Sequence, residues 1–199
     1  MGARIRPFVS AAIVLCFTLW AGAAPTIDQQ QGNHADVISY FFFGDLAQSF
    51  QQAHGNVAGA GIFLDASAGT GGDVTISLWD DLPDESGVQL ATGTAAGTPG
   101  SWVDVYWSPV VVTPDTTLFL VFESTDDDLD GMAVSGDTSD PYSRGQAYAV
   151  TGFEPFPAYD YAFRTYYDDT LSTIPAPAAL LLAGLGAGIV RCLRRRRVF

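Results

Sequence analysis

Apolar and polar positions alternate with a short period through the middle of the chain. Val74, Ile76 and Leu78 alternate with Thr75, Ser77 and Trp79, the two-residue period of a half-buried strand. Leu118, Leu120 and Phe122 alternate with Phe119 and Val121, which predicts a strand covered on both faces. Other strand-length runs, rich in β-branched and aromatic residues, are DVISYFFFG, LAQSFQ, NVAGAGIFLDAS, VQLATGT, SWVDVYW, GMAVSG, GQAYAV and YDYAFRTYY. Turn clusters such as GTGGD, DLPDESG and TPGS separate them. No segment before Ile174 carries a helical period. Roughly nine or ten short strands without helices predict an all-β domain, a β-sandwich or jelly roll. The sandwich is expected over 46–167, after a lead-in at 25–45 that holds a candidate first strand.

Both ends depart from this pattern. Arg4 and Arg6 precede the apolar stretch FVSAAIVLCFTLW, and AGAA then supplies small residues, so 1–24 reads as a secretory signal peptide for signal peptidase. An uncleaved membrane anchor is the competing reading. Cys16 lies inside the apolar run behind Leu15, which does not suit a lipid-attachment site. The only other cysteine is Cys192, so the body between the ends must be held by a packed core without disulfides.

At the other end, 174–193 begins with Pro175, Ala176 and Pro177 and continues as an uncharged run to Val190. As a helix, Ile174 to Val190 spans about 25 Å, a little short of a hydrocarbon core about 30 Å thick. Flanking arginines reach the interface by snorkelling. Arg191, Arg194, Arg195, Arg196 and Arg197 follow, and 194–199 is expected in the cytoplasm with the body outside. Gly184 and Gly188 form a small-xxx-small pair, by itself a weak sign of helix pairing. Only the linker 168–173, DDTLST, separates body from helix. It reaches about 20 Å at most, so an intact tail keeps the body beside the inner membrane.

A proline motif, a glycine-punctuated apolar helix and a terminal arginine cluster, in that order, resemble the PEP-CTERM sorting signal of Gram-negative bacteria. The resemblance implies recognition and cleavage by exosortase, an integral-membrane cysteine protease. It also implies an association with exopolysaccharide and biofilm. Ala176 departs from the glutamate that the family's name expects. Within the body, QSF, GAGIFLD, DVTISLWDD, LATGT, GSWVDVYWSPVVVTPDTTLFLVF and YDYAFRTY follow one another from Leu46 to Tyr167. That succession resembles exported bacterial jelly-roll modules called choice-of-anchor domains. These relatives are similar in shape to carbohydrate-binding modules, which implies a fold and not yet a ligand.

Charge narrows the partners. The chain carries −13, but all 22 acids lie between Asp28 and Asp169, where Arg144 and Arg164 are the only bases, leaving −20 on the body. Such a surface repels phosphate backbones, which excludes nucleic acid as a partner. Neutral glycans and cations remain compatible with it.

Catalytic motifs are absent from the sequence. There is no nucleophile elbow, no His-Glu-x-x-His pair and, with no lysine anywhere, no phosphate-binding Gly-Lys loop. His34 in the lead-in and His54 in the turn QAHGN read as surface residues. The chain is therefore expected not to be an enzyme. Two stretches carry candidate binding chemistry. In DDDLDGMAVSGD, Asp126, Asp128, Asp130, the backbone of Met132 and Asp137 have the spacing of a calcium loop, with Gly131 at its turn. The preceding strand and the short Asp137 do not fit a helix-loop-helix site, and a solvated acidic turn is the alternative. In SDPYSRG and TGFEPFPAYDY, Tyr142, Phe153, Phe156 and Tyr159 are candidates for stacking on sugar rings, or else a small satellite core. The expected role is a structural or glycan-associated protein of the cell envelope or extracellular matrix. A calcium-dependent carbohydrate-binding module and a polysaccharide-active surface enzyme are the rival readings.

Overall fold

The computed structural model describes residues 24–172. Residues 1–23 of the 1–24 stretch read above as a signal peptide, and the tail with Pro175, Ala176, Pro177 and the arginines, lie outside them. Among the described residues the regular structure is all-β. The strands are β1 (Thr26–Gln31), β2 (Asp36–Tyr40), β3 (Leu46–Gln51), β4 (Asn56–Phe63), β5 (Gly72–Trp79), β6 (Gln89–Gly97), β7 (Trp102–Val111), β8 (Thr117–Ser124), β9 (Ala133–Asp137), β10 (Ala147–Ala149), β11 (Glu154–Phe156), β12 (Asp160–Tyr161) and β13 (Phe163–Tyr167). Three short 3-10 turns, at Phe41–Phe43, Pro83–Glu85 and Asp169–Ser172, are the only helical pieces described.

These strands form a sandwich-like arrangement of antiparallel sheets. A four-stranded sheet has the order β1-β13-β4-β7, and a six-stranded sheet the order β11-β10-β3-β8-β5-β6. The inner positions of both supply one buried cluster: Leu46 and Phe50 from β3, Ile76 and Leu78 from β5, and Leu120 and Phe122 from β8 meet Ile62 from β4, Val105 from β7 and Phe163 from β13. A third sheet, β12-β9-β2, adds Val134 and Tyr161 to the same core. The cluster contains no sulfur bridge, so hydrophobic burial carries the stabilisation.

The alternation in β5 and β8 is realised. Val74, Ile76 and Leu78 are fully buried, and β8 is covered on both sides, with Phe119 and Val121 in a second small cluster on the outer face. Elsewhere the chain departs from expectation. DVISYFFFG is not one strand: Phe41 is buried, its N–H donates to the Met132 carbonyl at 3.1 Å, and the chain turns through Phe41–Phe43 to Gly44 at φ +69°. That conformation favours glycine.

The lead-in belongs to the sandwich. β1 pairs along β13, from Thr26 opposite Tyr167 to Gln31 opposite Phe163, although TIDQQQ has little apolar content. Hydrogen bonds hold it instead. The buried Gln31 side chain donates to the carbonyls of Asn33, Asp160 and Tyr161. β1 is thus the outer strand of the four-stranded sheet.

Candidate functional site

The acidic loop between β8 and β9 ties itself down through its own bonds. Asp126 Oδ2 accepts from the backbone N–H of Thr70 at 3.0 Å and of Gly71 at 3.3 Å. The Met132 N–H donates to the Asp126 carbonyl and the Gly131 N–H to the Asp128 carbonyl, at 3.0 and 2.8 Å. The Met132 side chain is fully buried, whereas Asp128 and Asp130 are exposed. Asp137 closes β9, where its carboxylate accepts from the Ser139 N–H at 2.7 Å, the Ser139 hydroxyl and the Asn33 amide. Those bonds, the Ser139 hydroxyl's first, hold it below the ordinary carboxylate range. The five calcium-loop candidates are thus not gathered around one point. Among the described residues no three His, Cys, Asp or Glu side chains are grouped to hold a metal ion. The physical reason is the strand context: β9 runs straight on from Met132 and spends Asp137 on its own end.

The aromatic set also divides. Tyr142 is buried edge-on against Phe163, ring centroids 5.0 Å apart, and its hydroxyl donates to Gln29 Oε1 at 3.1 Å. Phe153 is buried in the outer cluster with Ala47, Leu82, Phe119 and Val121. Both are packing residues, Phe153 in a small satellite core as the second of the two readings has it, and neither offers a face for stacking on sugar. Phe156 and Tyr159 stay nearer the surface and lie parallel to each other at 5.9 Å. They border a hollow of only about 40 Å³ beside Ile38 and Tyr161.

The larger concavity lies on the outer face of the six-stranded sheet, and strand register builds it. β5 sets Thr75 against Thr94 of β6 and Glu123 of β8. The pairing of Leu46 with Phe122 then carries Asp45 into the same row. The next row outward-facing is Thr92, Ser77, Val121 and Ala47, followed by Gln89, Trp79 and Phe119. A polar end with carboxylates therefore grades into an aromatic end. Cross-strand hydroxyl bonds join Thr75 to Thr94 at 2.8 Å and Ser77 to Thr92 at 3.0 Å.

Two hollows occupy this face. One, of about 430 Å³, is lined by Asp45, Asp73, Thr75, Glu123 and Asp127 among others. The other, of about 220 Å³, is lined by Ser77, Trp79, Gln89 and Phe153. Both share Asp45, Phe122 and Glu123, so they adjoin along one sheet face, together called the trough below. Its wall is braced where the Gly152 N–H donates to Asp45 Oδ2 at 2.8 Å, holding the turn in which Val150 and Phe153 take left-handed φ angles of 61° and 49°. Glu123 is exposed at the trough, and none of the described residues hydrogen-bonds its carboxylate. Trp79 Nε1 is buried without a hydrogen-bond partner among the described residues. An unsatisfied buried donor costs about 1–3 kcal/mol.

Of the sequence candidates, Phe153 backs this trough, and the acidic loop contributes Asp127 to its rim. Asp45, Trp79 and Glu123 were not singled out by the sequence. Only Trp79 had a signal, in the polar phase of DVTISLW, whose outward positions are Asp73, Thr75, Ser77 and Trp79. Comparison with known protein families gives no match, and no curated protein matches the sequence.

Proposed function

We propose that this chain is an exported, non-enzymatic β-sandwich of jelly-roll type that associates with polysaccharide in the envelope or extracellular matrix of a Gram-negative bacterium. A signal peptide delivers it, and the C-terminal helix holds it at the inner membrane with its body in the periplasm. The PEP-CTERM-like tail then presents it to exosortase. The observation that carries the reading is the trough on the outer sheet face, which sets carboxylates, hydroxyls and an indole ring on one concave surface. Ionised acceptors bond sugar hydroxyls strongly, and an aromatic ring offers an apolar face with a polar edge. The −20 body excludes anionic chains as comfortable ligands.

Two measurements test it. A reporter fused after Tyr167 is active only when exported, and one fused after Phe199 only in the cytoplasm. The full-length protein is retained on immobilised neutral polysaccharide and passes through unmodified resin. Cytoplasmic behaviour of both fusions, or passage through every polysaccharide, overturns the corresponding half of the reading.

A further inference from the structure

We infer that the trough takes a stretch of neutral glycan two or more sugar units long, with Glu123 and Asp45 accepting from its hydroxyls and Trp79 forming its aromatic wall. This rests on the glycan-associated reading above and assigns it a place and a ligand chemistry. The larger hollow has the size of a small-molecule site, and the second adjoins it at Asp45, Phe122 and Glu123. One isolated sugar would leave part of the trough empty. The polarity gradient along the trough matches a chain whose units each present hydroxyl edges and an apolar ring face.

Charge and hydrogen bonding decide among ligand classes. Asp45, Asp73, Glu123 and Asp127 oppose uronates, sulfates and phosphates through like-charge repulsion. A metal ion is not favoured, because the described carboxylates form no group of three spaced for one. A basic peptide satisfies the charge. However, the trough lies across β3, β8 and β5, which are paired on both sides, so no free strand edge is offered for backbone pairing. A neutral polyol uses what is there: the unclaimed Glu123 carboxylate, the hydroxyl rows of Thr75 and Ser77, and the Gln89 amide as both donor and acceptor. Trp79 contributes its ring rather than its N–H, because Nε1 is itself buried.

The test uses full-length protein in detergent, titrated calorimetrically with neutral glucan and mannan oligosaccharides, alginate and a lysine-rich peptide. The parent binds a neutral oligosaccharide, with affinity little changed between low salt and 0.5 M sodium chloride. Glu123→Gln keeps the shape but loses the charge, and weakens binding about tenfold. Trp79→Phe weakens it by a similar factor and removes any ligand-induced change in tryptophan emission due to that ring. Tyr106→Phe, on the opposite sheet, leaves affinity unchanged. Melting temperatures, compared alongside, separate lost binding from lost folding. Neutral glycan binding that ignores both trough variants overturns the inference and leaves the glycan-associated reading standing. No binding to any neutral glycan overturns both. Preference for the lysine-rich peptide, abolished by salt, makes the trough a peptide site and also overturns the inference.

Discussion

Arg164 of β13 and Asp104 of β7 meet across Gly61 of β4, the strand that lies between theirs. Gly61 is in register with both. Arg164 Nε donates to Asp104 Oδ1 at 2.7 Å, and its terminal nitrogen donates to the other oxygen. The guanidinium also lies 4.2 Å over the Trp102 ring. Gly59 does the same one rung along, between Tyr106 and Tyr166, whose rings pack at 5.0 Å. A side chain on either glycine would stand where its neighbours meet.

Glycine to alanine in a strand ordinarily helps or is neutral, because alanine has less freedom to lose. Here the sign reverses. A Cβ on Gly59 would lie 2.5 Å from the Val105 carbonyl oxygen, and one on Gly61 would overlap the Asp104 carboxylate. Gly59→Ala and Gly61→Ala should each cost about 1–3 kcal/mol in denaturant melts. Arg164→Lys should recover little of the loss seen in Arg164→Ala, since an ammonium supplies neither the fork nor the flat face. Unchanged stability in the glycine variants would show that the sheet opens easily at this pair.

Acid should at first stabilise the protein. Asp160 is fully buried, accepting from Gln48 Nε2 at 2.8 Å and the Tyr142 N–H at 3.0 Å. Burial, reinforced by Asp140 and Asp137, pushes its carboxyl up from 3.8 to about 6 despite those bonds. The folded protein then holds this proton more tightly than the unfolded chain. Its stabilising contribution is full below 3.8 and is lost as pH rises through about 6, a difference of at most about 3 kcal/mol. Asp65 acts oppositely: burial pushes it up, but hydrogen bonds from Ser67 and Ser135 outweigh that and hold it low, so its contribution is lost on acidification below 3.8. Denaturant midpoints should rise from pH 7.5 to 5 and fall below 3.8. Relief of the −20 charge adds to the rise, so Asp160→Asn is the control, and it should flatten the slope. A parental slope in that variant would remove Asp160 from the explanation.

The acidic loop should behave as a brace. Asp126→Ala removes the acceptor for Thr70 and Gly71 and should cost about 1 kcal/mol. Asp128→Asn and Asp130→Asn, both exposed, should fall within about 0.5 kcal/mol of the parent. Calcium and magnesium at equal ionic strength should shift the melting temperature alike. A calcium-specific rise, abolished by Asp128→Asn, would restore the loop as a metal site.

Much of the sandwich was legible because its strands advertise burial, β5 by alternation on one face and β8 by apolar residues on both. β1 was not legible. Its place is set by backbone pairing and by the Gln31 amide, which hydropathy does not register. The calcium spacing misled because a linear interval says nothing of whether Asp137 ends a strand. Tyr142 and Phe153 sit among prolines and glycines, yet the turns fold them inward. The trough escaped notice for another reason. Asp45, Thr75 and Glu123 are far apart in sequence, and only register places them in one row.

Everything proposed for the trough depends on the body reaching the envelope, and the intact mass of the mature protein from its own organism tests that most directly. The expected species begins after Ala23 or Ala24 and lacks Arg194 to Arg197, so it falls below the 21.1 kDa of the whole chain by both losses. A species lacking only the leader would leave Pro175-Ala176-Pro177 as part of a simple anchor and end the exosortase proposal. Recovery of the uncut 199-residue chain from the cytoplasm would contradict export altogether.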